Sequence, residues 1–502
     1  MNFIDSLKNT LNGSMNVSMT ENGAIGYKTT GKDLLDLHFS VASLRSATDY
    51  EIMQKFIKAY FDNRQLALKW LFYARDIRGG LGERRLFRVI IENLARTHRE
   101  INVEQMIELI PQYGRFDDLY VLVEAGYKAQ VVEFIKATLS QDILNKEQGE
   151  GISLLAKWLP SVNTSSEKSR KLARMFAKEL GMSEKDYRKT LSSLRKYIDV
   201  VEVKMSANEF NEINYETVPS KANLIYRKAF LRQDEGRRNA YLERLKEGNA
   251  KINSGVLFPY EIVHAYAQSY QIKAYDEALE QMWKALPDTV QGGGNSIVVA
   301  DGSGSMTVPV GEGRCTALSV ANALAIYFAE RSCGQFKNKY ITFSMNPQLV
   351  DLSKGKSLKE KLEIARAHNE VANTDIYKVF ELILKTAVKG KLAASELPAN
   401  IIIVSDMEFD SCAVNGEANL FEQIAKRYKG YGYKLPRLVF WNVNSRTNTI
   451  PVKDNESGVA LVSGFSTNVF NMVLSGQLDA YKCLTDILDG ERYEPVAKLI
   501  AG

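Results

Sequence analysis

The chain has 502 residues, about three times a typical domain, so two domains are expected. With 45% hydrophobic and 25% charged residues, and only 33 glycines and 11 prolines, it is neither fibrous nor of low complexity. The net charge of +5 is too small to demand a nucleic-acid partner. No apolar run approaches the roughly 18 residues of a membrane span, and the first residues lack a secretory leader pattern, so a cytoplasmic protein with no membrane partner is expected.

Residues 1–47 are rich in Asn, Ser, Thr and Gly and read as an irregular arm that adds little core. From Thr48 the texture changes. TDYEIMQKFIKAYFD and NRQLALKWLFYARDI set apolar residues three and four apart, as amphipathic helices do. Similar stretches run to about Leu286, interrupted by RGGLGE (78–83), PQYGRFDD (111–118), LPSVNTSS (159–166) and VPSK (218–221). Residues 48–290 are therefore expected to form a helical domain. No fixed period emerges, but helix pairs of uneven length suit a HEAT-like stack.

The glycine run QGGGN (291–295) marks the expected boundary, and residues 291–502 have a different periodicity. SIVVADGSGSM ends an apolar β-branched run in a hydroxyl-rich turn. YITFS and PQLVDL flank a Met-Asn-Pro turn like a hairpin, while NIIIVSD (400–406) and RLVFWNV (437–443) suit strands buried on both faces. Helical stretches near 315–332, 375–388 and 420–429 alternate with them. The fold class is thus α + α/β, a helical domain followed by a doubly wound, mostly parallel, Rossmann-like sheet.

Cys315, Cys333, Cys412 and Cys483 form no CxxC and read as free, buried thiols. The four histidines show no metal spacing, so any metal is expected among oxygens. In doubly wound sheets, ligands bind beyond the carboxyl ends of strands. Asp301, Ser303 and Ser305 stand there as D-x-S-x-S, Thr374 precedes a helix, and Asp406 closes the strand IIIVSD. One carboxylate, two hydroxyls, a threonine and a second carboxylate make an oxygen site for a hard divalent cation such as Mg²⁺, with Mn²⁺ or Ca²⁺ as alternatives. Thr307 and Glu408 are close enough in sequence to support it, or are solvated loop residues. An aspartyl-phosphate phosphatase would need Asp where Ser303 stands, and there is neither a G-x-S-x-G elbow with a histidine partner nor a phosphate loop. A binding protein rather than an enzyme is expected.

The five positions resemble the metal-ion-dependent adhesion site of von Willebrand factor A domains. The resemblance assigns Asp301, Ser303, Ser305, Thr374 and Asp406 as ligands, Asp406 through a water. It also implies an open coordination position for an acidic group from a protein partner or neighbouring subunit. A helical domain followed by such a domain is similar to the Ro autoantigen and its TROVE-module relatives. It is closer still to a largely uncharacterised family of this layout in bacteria, phages and plants. FYARDIRGGLGERRLF, PQYGRFDDLY, KWLPS, YRKTLSSLRKYIDVVE and VPSKA carry that resemblance, which covers most of the chain. It implies a helical ring, closed by the A domain, that binds small structured or misfolded RNA.

Residues 64–99 hold nine Lys/Arg against three Asp/Glu, and 168–196 hold ten against three. Such clusters are either solvated helix faces or phosphate-binding surfaces. The candidate RNA contacts are Arg75, Arg78, Arg84 and Arg85 in the first, and Arg170, Lys171, Arg174, Arg188, Lys189, Arg195 and Lys196 in the second. Tyr187 and Tyr197 would stack on unpaired bases, or fill the core.

Overall fold

A computed structural model of the chain describes residues 16–268, 271–290, 295–310, 315–343, 346–369, 375–409, 420–451, 459–469 and 479–500. The chain folds into two compact units, Met1–Ala67 with Ser254–Gly490, and Leu68–Asn253 with Glu491–Gly502. These units cut the chain at other points than the glycine run, because both flanks of the helical region pack with the sheet.

The first of those flanks is the lead-in, which is more than an arm. β1 (Val17–Met19) pairs antiparallel with β2 (Ile25–Tyr27) through a turn in which Gly23 takes φ 84°. α1 (Asp33–Phe39) buries Leu34, Leu35, Leu37 and Phe39. α2 (Asp49–Asp62) starts at a Thr48–Glu51 capping box and buries Ile52, Phe56, Ala59 and Tyr60, one helical stripe, against α1. The polar composition of residues 1–32 hides the apolar segment LLDLHF, which supplies this core.

The helical unit is built from α3 (Arg64–Arg75), α4 (Arg85–Thr97), α5 (Val103–Tyr113), α6 (Lys128–Glu147), α7 (Glu167–Glu179), α8 (Glu184–Tyr197), α9 (Ser220–Gln233) and α10 (Glu235–Lys246). α4 buries Leu86, Phe87, Ile90, Ile91 and Leu94 along one face. Sequence neighbours pack as pairs, α7 with α8 and α9 with α10. The loop between α3 and α4 folds back on its own helix. A Cβ on Gly80 would lie 1.9 Å from the Tyr73 carbonyl oxygen, so only glycine fits there. Residues 491–500 return to this unit, where Tyr493 stacks on Tyr113 with ring centroids 5.8 Å apart.

In the sheet-bearing unit, α11 (Pro259–Tyr266) and α12 (Glu277–Lys284) precede β3 (Ser296–Asp301). There follow α13 (Ala317–Arg331), β4 (Lys339–Phe343), β5 (Gln348–Asp351), α14 (Leu358–Ala367), α15 (Ile376–Gly390), β6 (Asn400–Ser405), α16 (Leu420–Gly430), β7 (Arg437–Asn442), β8 (Val459–Ser463) and α17 (Ala480–Leu488). The sheet order is β8-β7-β6-β3-β4-β5, parallel except for the β4–β5 hairpin. α11 packs on α13, and the buried Glu280 of α12 accepts hydrogen bonds from the Leu358 (2.7 Å) and Lys359 (3.1 Å) amides at the start of α14. These contacts place 254–290 with the sheet. Every residue of β3 is buried, as its unbroken apolar run requires.

Cys315 and Cys483 are buried free thiols, and burial pushes the Cys315 thiol up to about 12. Cys333 is exposed, contrary to expectation, because it follows the last turn of α13 at the surface; Cys412 lies outside the described residues. Among the described residues no helix is long and apolar enough to cross a membrane.

Candidate metal centre

β3 and β6 are adjacent parallel strands, paired from Ser296↔Asn400 to Ala300↔Val404. The chain leaves β3 toward β4 on one side and later returns to β6 on the other, so their carboxyl ends form the point where strand order reverses. Asp301 ends β3, and Asp406 directly follows β6. The Asp301 Oδ1 accepts the Ser303 amide at 2.9 Å, which turns the chain, and its Oδ2 accepts the Ser405 hydroxyl at 2.6 Å. That turn brings the Ser303 and Ser305 hydroxyl oxygens to 2.9 Å of one another. After β6, Met407 takes φ 63° and its amide donates to Ser405 Oγ, while the Glu408 amide donates to Asp406 Oδ1 at 3.2 Å.

Asp301 is 2% exposed and Asp406 1%. Burial, then the Asp406 charge, raises the Asp301 carboxyl well above the usual range. Burial also raises Asp406, which a hydrogen bond from Ser305 and the Arg446 guanidinium offset in part. Among the described residues Asp406 Oδ2 is buried and accepts no hydrogen bond, and Arg446 Nη2 lies 3.4 Å from it. A buried acceptor left in this state is costly unless a cation meets it.

The donor set fits a hard divalent ion. Two hydroxyl oxygens 2.9 Å apart match neighbouring corners of an octahedron with metal–oxygen distances of about 2.1 Å. Ser303, Ser305, Asp301 and Asp406 are the side chains that would hold the ion, directly or through water. Among the described residues no group of three or more His, Cys, Asp or Glu side chains is placed to hold a metal, so this cluster relies on hydroxyls and only two carboxylates. Thr374, the remaining expected ligand, lies outside the described residues. The helix that follows it, α15, is capped by Asp375, which accepts the Lys378 amide.

Three other side chains organise this edge. Glu408, 2% exposed, accepts the amides of Glu21 (2.9 Å), Arg446 (2.8 Å) and Thr447 (2.9 Å) and the hydroxyls of Ser445 and Thr447. It is a loop anchor, not a solvated residue. Arg446 is held by Glu21 at 2.7 Å and reaches Asp406, and Ser405 bonds Asp301 directly. The serine preceding Asp406 was the available sequence signal for Ser405. Nothing local in the sequence marks Arg446 or Glu21, which arrive from opposite ends of the chain.

The cationic clusters separate into two kinds. Arg75 is buried and forked onto Asp118 through Nε (2.8 Å) and Nη2 (2.7 Å), and Arg88 also binds Asp118 at 2.6 Å. Asp117 and Asp118 are bound by Arg75, Arg88 and Arg115. Arg78 and Arg84 are exposed, and Arg85 is half-buried. Arg195 spends its guanidinium on the Ala156 and Leu159 carbonyls and the Ser161 hydroxyl, at 2.7–2.8 Å. Arg170 likewise donates to the Thr164 and Ser165 carbonyls. Arg75 and Arg195 hold the fold together and are not placed to meet RNA. Tyr187 is fully buried with its hydroxyl on the Pro160 carbonyl, so it fills the core; Tyr197 is 38% exposed. Lys171 and Arg174 pair with the exposed Glu167 and Glu184. Lys185, Arg188, Lys189 and Lys196 are exposed on α8 and pair with no acid among the described residues.

Residues 98–295 match a family model described as "Domain of unknown function (DUF2828)". Residues 295–492 match a second, "Domain of unknown function (DUF7788)", which contains every candidate metal ligand. The two matches meet at Asn295, the end of the glycine run. The chain is also similar to "Uncharacterized protein L728" of Acanthamoeba polyphaga mimivirus, 29% identical over 501 residues, covering 92% of this chain and 85% of that protein.

Proposed function

We propose that the sheet-bearing unit is a von Willebrand factor A-like module that binds one divalent cation of the Mg²⁺ class and, through it, an acidic group of a protein partner. The observation that supports this most is the convergence of Asp301, Ser303, Ser305 and Asp406 at the strand-order reversal, with a buried Asp406 oxygen that accepts no hydrogen bond from the described residues. When bound, the ion would offer an open coordination position to an external carboxylate. The protein's own groups hold and orient: Ser405 fixes Asp301, Glu408 fixes the loop carrying Arg446, and Arg446 balances Asp406. The reading is of a binding module, in keeping with a sequence that has neither a G-x-S-x-G elbow with a histidine partner nor a phosphate loop. Calorimetry with Mg²⁺, Mn²⁺ and Ca²⁺ on the full chain tests it. Divalent binding that disappears in Asp301→Ala with the fold retained supports the module; equal affinity in wild type and variant sinks it.

A second reading is RNA binding by a HEAT-like, Ro-like helical domain. The paired helices α7/α8 and α9/α10 support the HEAT comparison, and the four unpaired cations on α8 support a phosphate-facing surface. A nuclease-treated against an untreated preparation at low salt, compared by the ratio of absorbance at nucleic-acid and protein wavelengths, tests it. Identical ratios would remove this reading.

A further inference from the structure

One nitrogen of Arg446 faces two acids, and the distances are unequal. Nη2 lies 2.7 Å from Glu21 Oε2 and 3.4 Å from Asp406 Oδ2, while Nη1 lies 3.4 Å from the Ser305 carbonyl oxygen. The guanidinium thus stands against both loops that carry candidate ligands, those after β3 and β6, yet its short contact is to an acid outside them. Electrostatics alone would favour the opposite. The Asp406 side chain is 1% exposed and that of Glu21 48%, and an arginine fork gains most on the acid that water cannot solvate.

The backbone explains why Glu21 holds the guanidinium. Glu408 Oε2 accepts the Glu21 amide at 2.9 Å and its Oε1 accepts the Arg446 amide at 2.8 Å, so one buried carboxylate fixes both main chains. The Thr20 hydroxyl donates to the Phe409 carbonyl at 2.6 Å, and the Asn22 side-chain amide donates to the Glu408 carbonyl at 2.7 Å. These bonds pin the β1–β2 turn to the loop after β6, and none of them uses the Glu21 carboxylate. The turn therefore delivers that carboxylate to Arg446 as a separate element, which can be removed without undocking the turn.

We propose that Glu21 is a positioning residue of the cation centre: it holds the Arg446 guanidinium off Asp406 and so keeps Asp406 Oδ2 available to the cation. The proposal rests on the cation-binding reading and adds to it a control exerted by the β1–β2 turn. Without the Glu21 carboxylate the guanidinium closes on the buried Asp406 oxygen, and a divalent ion must then displace a fixed positive charge in order to bind. Glu21 acts through Arg446 and is not itself a ligand.

Calorimetry with Mg²⁺ and Mn²⁺ on the full chain, as wild type, Glu21→Gln, Arg446→Gln and the double variant, tests it, with the denaturation midpoint showing that each is folded. Glu21→Gln is expected to weaken the ion about tenfold, the lower end of the range for groups that support a metal ligand. Arg446→Gln removes the competing charge and should bind at least as tightly as wild type. The double variant should match Arg446→Gln, because Glu21 has no guanidinium left to hold. A merely structural role for the two side chains predicts weaker binding in all three variants, and direct attraction between Glu21 and the ion predicts that the double variant binds more weakly than Arg446→Gln. Either pattern, equal affinity in wild type and Glu21→Gln, or binding by Arg446→Gln alone overturns the proposal while leaving the cation centre in place. Absence of divalent binding in wild type and Arg446→Gln alike removes the centre itself, and this proposal with it.

Discussion

Both units bury aspartates, and the two arrangements are opposite in kind. In the helical unit Asp118 is fully enclosed and receives Arg75 through two nitrogens, Arg88 at 2.6 Å and the Arg115 amide at 2.9 Å. Each oxygen has a donor and the charge has counter-charges. In the sheet-bearing unit Asp301 and Asp406 are as deeply buried, burial raises both carboxyls and the Asp406 charge raises Asp301 further, and a half-buried guanidinium stands 3.4 Å from one Asp406 oxygen. A saturated buried acid is a structural fastener, whereas an undersaturated pair is the arrangement that the proposed cation would complete.

The comparison breaks or holds on stability. Asp118→Ala leaves Arg75 buried without its partner and should cost about 3–5 kcal/mol, read as a large fall in denaturation midpoint. Asp301→Asn in divalent-free buffer should do the opposite, leaving the midpoint unchanged or raised, because it removes one of two repelling charges. In calorimetry the same Asp301→Asn should weaken Mg²⁺ by more than about 100-fold, since even groups supporting a ligand cost 10–100-fold. If Asp301→Asn destabilises as much as Asp118→Ala, the two acids are alike and the metal assignment fails.

A third buried ionisable group sharpens the contrast without any ligand. His38 in α1 is fully enclosed, and burial pushes its imidazole down to about 3. The unfolded chain protonates it near 6.5, so its contribution to stability is complete above that pH and is lost as pH falls from 6.5 toward 3. By pH 5 the loss from this group is about 2 kcal/mol. Melting curves between pH 7 and 5 should show His38→Gln with a flatter acid arm than wild type. Parallel arms would mean that His38 is not the group that titrates.

The strand-order reversal was legible in the sequence because two unbroken apolar runs, SIVVA and NIIIVS, end in Asp301 and Ser405–Asp406, and parallel strands place such ends side by side. The Arg446, Glu21 and Glu408 network was not, since its members are joined only after the β1–β2 hairpin packs with the loop after β7. The lead-in was misjudged by composition: its polar residues outnumber LLDLHF, yet that short stripe fills the space beside α2 and β8. Charge runs misled for the same reason at Arg75 and Arg195. Whether an arginine is exposed depends on an acid or carbonyl many positions away, here Asp118 for Arg75 and the Ala156 and Leu159 carbonyls for Arg195.

The smallest effect separates consumed from unconsumed cations. Lys185, Arg188, Lys189 and Lys196 are exposed on α8 and pair with no acid among the described residues, whereas Arg195 on the same helix is bound to two carbonyls and a hydroxyl. If α8 meets RNA phosphates, each exposed cation converted to Glu should lower the slope of log affinity against log salt by about 0.7, the value for single strands. The fall in affinity should be similar for unrelated sequences, because phosphates carry no sequence information. Arg195→Gln should behave differently, lowering the denaturation midpoint through the three lost hydrogen bonds while leaving the salt slope of the folded protein as it was. Filter binding of a single-stranded RNA from 50 to about 200 mM salt reads both. Equal slopes for wild type and the fourfold Glu variant would make the α8 cations a solvated helix face, and a slope lowered by Arg195→Gln alone would mean that the guanidinium leaves its carbonyls to meet the strand.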